Sequence, residues 1–212
     1  MIAVQAAGIP APQVVNYGLH PESPHAPASI LMTRLPGQEL GDVYNALHAD
    51  DRDAIITEVN TIPDTMRSWA SPWGERICSI RVPNHRIEPC ESEQEFHGFI
   101  LGAASAHSFS SEEESQKTLA TARRINDLRH RVVFTHGDFA VHNILVHRGR
   151  VSGMIDWECA GWYPEYWEFT TPLRWSSRIP ASFIGPLVTG RYEQELEDER
   201  AIVSLTVDSW VW

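Results

Sequence analysis

Three short apolar runs recur at close intervals late in the chain: Val132-Val133-Phe134, Ile144-Leu145-Val146 and Val151 to Ile155. Each reads as a short buried strand. Arg148-Gly149-Arg150 separates the second from the third, and two apolar runs joined by a Gly-containing turn read as a hairpin. A hairpin brings its ends together, so Asn143 and Asp156 are expected side by side at its open end. The polar loop His136-Gly137-Asp138-Phe139-Ala140-Val141-His142-Asn143 leads into it and carries Asp138.

The same reading covers the rest of the chain. Met1 to Gly8 looks like the last turns of a helix closed by glycine. Ile9-Pro10-Ala11-Pro12 is an extended linker, because each proline disfavours helix in the residue before it. Gln13 to Tyr17 and Ser29 to Leu35 read as strands, the second apolar and expected to be buried, and residues 20 to 28 as a loop. Residues 50 to 62 place Ile55, Ile56, Val59 and Ile62 at helical spacing, with Pro63 expected to end or kink the helix. Ile77 to Val82 reads as a short strand and Pro83 to Pro89 as loop. Ser92 and Glu95 form a capping-box pair, followed by an apolar stripe of Phe96, Phe99, Ile100, Ala103 and Ala104. His97 and His107 flank that stripe and read as surface or cap residues. Ser110 to Glu114 opens another helix, acids near its positive end, running to about Leu128. Arg123, Arg124, Arg129 and Arg131 read as a solvated helix end. After Asp156 the chain is aromatic: Trp157, Trp162, Tyr163, Tyr166, Trp167, Phe169 and Trp175 are expected mostly in the core. Some of these rings can wall a pocket and grip a cation. Glu158 and Glu168 are candidate pocket acids, and Glu165 reads as a helix cap. Gly190 to Trp212 reads as one or two helices ending on the apolar Trp210-Val211-Trp212.

A chain of 212 residues is enough for one sizeable domain or two small lobes. The net charge of −11 argues against general nucleic-acid binding, which needs Lys and Arg against phosphates, and suits a cationic ligand better. Cys78, Cys90 and Cys159 lie far apart with no CxxC pair, which argues against a zinc site or a disulfide framework. Without a signal peptide or a long apolar span, the chain is expected to be cytoplasmic and free of the membrane.

The hairpin and its entry loop suit phosphoryl transfer. That reaction needs a carboxylate to orient and deprotonate the attacking hydroxyl, and hard oxygen ligands to hold Mg2+ against phosphates. Asp138 can be the base, and the side-chain oxygens of Asn143 and Asp156 the metal ligands. His136-Gly137-Asp138, four residues, then Asn143 follows the form of a kinase catalytic loop, H-R-D-x-x-x-x-N, with Gly in place of Arg; Asp156-Trp157-Glu158 stands where the metal motif would.

The stretch closely resembles the aminoglycoside phosphotransferase and choline kinase-like family, whose loop reads H-G-D-x-x-x-x-N. The continuation Asp156 to Glu168 looks like its fungal branch. The resemblance implies an α+β, protein kinase-like fold with a truncated small N-lobe and a mainly helical C-lobe around a catalytic hairpin. Residues 1–37 would be the remnant of the N-lobe with its hinge, and 38–212 the C-lobe. It implies ATP and Mg2+ as cofactors and transfer of the γ-phosphate to a hydroxyl of a small molecule. His136 would fix the loop, and Leu31, Met32, Thr33 and Arg34 would line the adenine slot.

One feature departs from the family pattern. Kinase-like folds place a phosphate-covering loop and a lysine before the hinge. The residues before Ser29 contain neither, and Lys117, the chain's single lysine, lies in a polar helical stretch well after it. Two alternatives therefore stand beside the phosphotransferase: a catalytically impaired kinase-like remnant that binds a ligand or partner, or an incomplete gene model. A metal-dependent hydrolase built on His136, Asp138, His142 and His147 is a third reading.

Overall fold

The computed structural model describes residues 2–23, 28–79, 81–82, 85–173 and 192–207. The chain divides into two units: residues 1–65 with 140–156, and residues 66–139 with 157–212.

The first unit is built on the expected hairpin. Strands β8 (Ile144–His147) and β9 (Arg150–Met154) pair antiparallel, with His147 opposite Arg150. The two turn residues both take positive φ, Arg148 at 53° and Gly149 at 72°, the backbone of a tight hairpin turn. Strand β3 (Gln38–Glu39) adds a third strand on the free edge of β8. Helix α1 (Ile2–Ala6) ends at Gly8 with φ 79°, as expected of a glycine stop. Pro10 C=O accepts from Met154 N–H at 2.8 Å, tying the linker to the hairpin. The short α2 spans Leu40–Val43.

Helix α3 (Ala49–Arg67), all but its C-terminal end in this unit, buries Ile55, Val59 and Ile62. It does not stop at Pro63 but runs on to Arg67. A proline inside a helix costs a backbone bond. Here Ile62, Pro63 and Met66 are all buried, and that burial offsets the loss.

Strands β1 (Val14–Leu19) and β2 (Ala28–Met32) form a separate two-stranded antiparallel sheet. The expectation that β2 is buried fails: all of its residues are exposed, Leu31 by 60%. An apolar run identifies a strand, but not what covers it.

The second unit places β7 (Val132–Thr135) against β10 (Gly161–Pro164), with β4 (Cys78–Ser79) on the other side of β10. Strands β5 (Arg81–Val82) and β6 (His85–Arg86) pair separately, so the stretch expected as loop after Pro83 contains a strand. Helices α4 (Glu93–Leu101), α5 (Glu112–Arg123), α6 (Trp167–Thr170) and α7 (Glu193–Thr206) supply the core with Phe96, Ile100, Ala122, Trp167 and Ile202, and β10 adds Tyr163. Ser92 and Ser111 cap α4 and α5, their hydroxyls accepting from the Glu95 and Glu114 amides at 3.2 Å. The α4 stripe is narrower than expected: Phe99 is exposed, and Ala103 and Ala104 lie beyond the helix.

Rings dominate this core. Tyr163 and Trp167 stack with centroids 5.1 Å apart, and Phe96 meets both edge-on. Trp175 and the Trp210–Trp212 terminus lie outside the described residues.

His97 is not a surface residue. It is buried and shares a 2.7 Å hydrogen bond with the Tyr166 hydroxyl, and burial pushes its pKa down to about 4. Of the basic residues expected to be solvated, Arg124 binds Asp198 at 2.6 Å, and Arg131 binds Glu165 at 3.1 Å. Glu165, expected as a helix cap, serves as that partner.

Between these helices His130 is held by two carboxylates, Glu93 at 2.6 Å and Glu195 at 2.9 Å. Burial pulls the imidazole pKa down, but the hydrogen bonds and charges of Glu93 and Glu195 outweigh it, and the net shift is upward. A raised histidine pKa stabilises the folded state most fully below the unfolded value of about 6.5, and that contribution is lost as pH rises through the folded value. His130→Gln is expected to lower stability by about 3 kcal/mol near pH 6 and to flatten the decline above it, measured by urea unfolding across pH.

Candidate active site

The sequence-predicted residues fall in both units. His136, Gly137 and Asp138 belong to the second; Leu31, Met32, Thr33, Arg34, Asn143 and Asp156 belong to the first.

In the second unit, β7 ends at Thr135 and the loop turns at once. Gly137 has φ 81°, and a Cβ there would collide with the Cys159 carbonyl. Glycine is therefore required twice over, by the left-handed backbone and by the close approach. His136 is fully buried, and its ring lies 4.5 Å from that of Trp157. The Asp138 N–H donates to His136 Nδ1 at 3.3 Å, a local bond within the loop that carries Asp138. Asp138 itself is half-buried, reachable from solvent.

Beneath this loop lies Glu168 on α6. The His136 N–H donates to its Oε2 at 2.5 Å. The sequence marked Glu168 as a candidate pocket acid; the structure instead buries it under the loop backbone, 3% exposed. The signal was present as an acid inside the otherwise aromatic run Tyr166-Trp167-Glu168-Phe169, but its partner is a main-chain amide that no pattern marks. Glu158, the other candidate, is exposed.

In the first unit, Asn143 enters β8 with its side chain buried, 2% exposed. Its C=O accepts from the Ile155 N–H at 2.9 Å, which sets it beside the end of β9. Asp156 follows directly, exposed and with φ 61°. A non-glycine residue held at positive φ is uncommon, and such strain clusters at functional positions. Leu31, Met32, Thr33 and Arg34 are all exposed, and Thr33 is tied to Gln13 by two 2.9 Å hydrogen bonds.

A cavity of about 200 Å3 in the same unit is lined by Ala7 to Pro10, Glu58, Thr61, Ile62, Thr65 and Val151, and by none of the predicted site residues. No group of three or more His, Cys, Asp or Glu side chains among the described residues is arranged to hold a metal ion. No described helix is long and apolar enough to cross a membrane.

A mixed α+β chain with a His-Gly-Asp loop after one strand and an Asn–Asp pair across a hairpin is kinase-like in architecture. The family model of the phosphotransferase enzyme family (APH) matches residues 1–202, and the chain belongs to that family. No curated protein matches it. Among solved structures it is similar to aminoglycoside phosphotransferase APH(4)-Ia, at 16% identity and TM-score 0.66 over 94% of this chain and 68% of that one. A thermostable mutant of that enzyme in ternary complex with ADP and hygromycin B gives 16% and 0.59 over 92% and 68%. APH(3'')-Id from Streptomyces rimosus gives 15% and 0.54 over 96% and 77%. Identities this low establish the fold alone.

The loop geometry makes a sharp prediction. Gly137→Ala is expected to destabilise the protein by more than about 1 kcal/mol, since it forces left-handed backbone and a collision. Gly98→Ala, on an exposed face of α4 with no atom within 4 Å of the new Cβ, is expected to stabilise by about 0.5–1 kcal/mol. Paired urea denaturation curves check both signs.

Proposed function

We propose that this chain is an ATP-dependent phosphotransferase that moves the γ-phosphate to a hydroxyl of a small molecule. The observation that carries the reading is the His136-Gly137-Asp138 loop, pinned by its glycine and by Glu168, in a chain that matches the family over residues 1–202. The solved relative with ADP and hygromycin B supports a nucleotide and a small hydroxylated acceptor. A cationic acceptor suits the net charge of −11.

In this reading residues 1–37 are the remnant of the nucleotide-side lobe and hinge, residues 38–212 form the catalytic lobe, and Leu31, Met32, Thr33 and Arg34 line the adenine slot. Asp138 is the base. Its carboxylate orients the acceptor hydroxyl and takes the hydroxyl proton as the oxygen attacks. His136 holds the Asp138 backbone through the 3.3 Å bond, which keeps the carboxylate aimed without using its own oxygens.

Asn143 and Asp156 suit Mg2+ by donor chemistry: an amide oxygen and an exposed carboxylate on strained backbone are hard ligands. Mg2+ held there would neutralise charge on the phosphates. A second reading is a kinase-like binding protein with impaired turnover.

Calorimetry with Mg-ATP separates them. The phosphotransferase reading expects binding that Asp156→Ala abolishes, and turnover that Asp138→Asn cuts by about 10^2–10^4-fold while nucleotide binding remains. Binding without turnover on any hydroxylated acceptor favours the binding protein. No binding at millimolar nucleotide sinks the first reading.

A further inference from the structure

Glu168 is a deeply buried carboxyl beneath the loop, and its surroundings are unusual for a carboxylate. One oxygen, Oε2, accepts the His136 N–H at 2.5 Å, and the Gly137 N–H also faces the carboxyl. The other, Oε1, is buried and has no hydrogen-bond partner among the described residues. The flanking residues of α6, Trp167 and Phe169, are both buried. Among the described residues the titratable groups that face it are Asp138 and His136 on the loop, and Arg67 at the end of α3. Arg67 is turned elsewhere, its guanidinium 4.3 Å over the Phe169 ring and hydrogen-bonded to the Glu165 carbonyl and the Tyr192 hydroxyl. Among the described residues no hydrogen-bonded cation therefore balances a charge on Glu168.

We propose that Glu168 is a proton-carrying anchor: it holds the His136 amide as the neutral acid, which leaves Asp138 without a second carboxylate charge behind it. The orphaned Oε1 is where the proton sits. Neutral, the group still accepts the amide bond through Oε2. Ionised, it would strand a charge in the core and set it against Asp138. Burial raises the Glu168 pKa to about 8; the His136 and Gly137 amides and Arg67 pull against that, and Asp138 adds to it. The position therefore keeps its proton through neutral pH and releases it at alkaline pH. Glu168 acts through the loop and is a positioning residue. The effect on turnover rests on Asp138 being the base, but the proton uptake does not.

The sign of the linkage follows. An acid whose pKa is raised on folding makes the folded state bind more protons than the unfolded one between the two values. Stability then falls as pH rises from about 4.5 to about 8 and levels off above that. Thermal unfolding from about pH 5 to about pH 9 is compared for the wild type and Glu168→Gln, which keeps the shape and the acceptor but cannot ionise. The wild-type Tm is expected to fall at least about 5 °C more over this range than the variant's. Equal slopes overturn the proposal.

Infrared pH-difference spectra of the wild type keep the test decisive if the variant does not fold. A protonated buried carboxyl must disappear between about pH 7 and about pH 9, and its absence overturns the proposal. Glu168→Asp, an acid on a shorter arm, must shift that band; an unchanged band in the folded variant also overturns it. If the protein turns over, the wild-type rate is expected to decline above about pH 8 and that of Glu168→Gln not to. If neither turns over, the phosphotransferase reading fails, while the Tm and infrared results still decide the role of Glu168.

Discussion

The hydrogen bond from the His136 amide to the buried Glu168 carboxyl is the constraint on which the rest of the second unit turns. Strand β7 delivers a loop that must leave its direction abruptly. Gly137 makes the turn sterically possible, but a permissive residue does not choose a conformation; it only allows one. The choice comes from below, where α6 offers an acceptor to an amide that would otherwise be buried without one. The stacked rings of Tyr163 and Trp167 and the edge of Phe96 hold α6 in place. Packing thus fixes a helix, the helix fixes an acceptor, and the acceptor fixes the loop that carries Asp138.

Much of this was legible in the sequence where the information is local. The three apolar runs, the Arg148-Gly149 turn and the Ser92 cap all appear in the structure, because strand alternation, turn φ values and capping depend on neighbours a few residues away. The glycine of His136-Gly137-Asp138 was visible as a motif letter; its reason, the Cys159 carbonyl pressed against its Cα, was not.

What depended on distant partners stayed hidden. His97 looked like a flanking polar residue on α4, yet Tyr166 gives it a buried hydrogen bond. Pro63 reads as a point where the helix ends or kinks; the helix runs past it to Arg67, with Ile62, Pro63 and Met66 buried. Strand β2 looked buried because it is apolar, but Tyr17, Leu19, Ile30 and Leu31 of its two-stranded sheet face solvent. In each case local composition gave the element and long-range packing decided its environment.

The two candidate carboxylates differ for a physical reason that composition alone cannot show. Asp156 is exposed at the end of a strand, on backbone a non-glycine residue rarely adopts, where water or a cation can reach it. Glu168 lies under main chain, 3% exposed, and among the described residues no cation is hydrogen-bonded to it. Charge is tolerable at the first position and costly at the second. Burial alone therefore sets two acids of one chain apart: Asp156 open to solvent at the end of a strand, Glu168 packed beneath main chain, where it accepts a backbone amide.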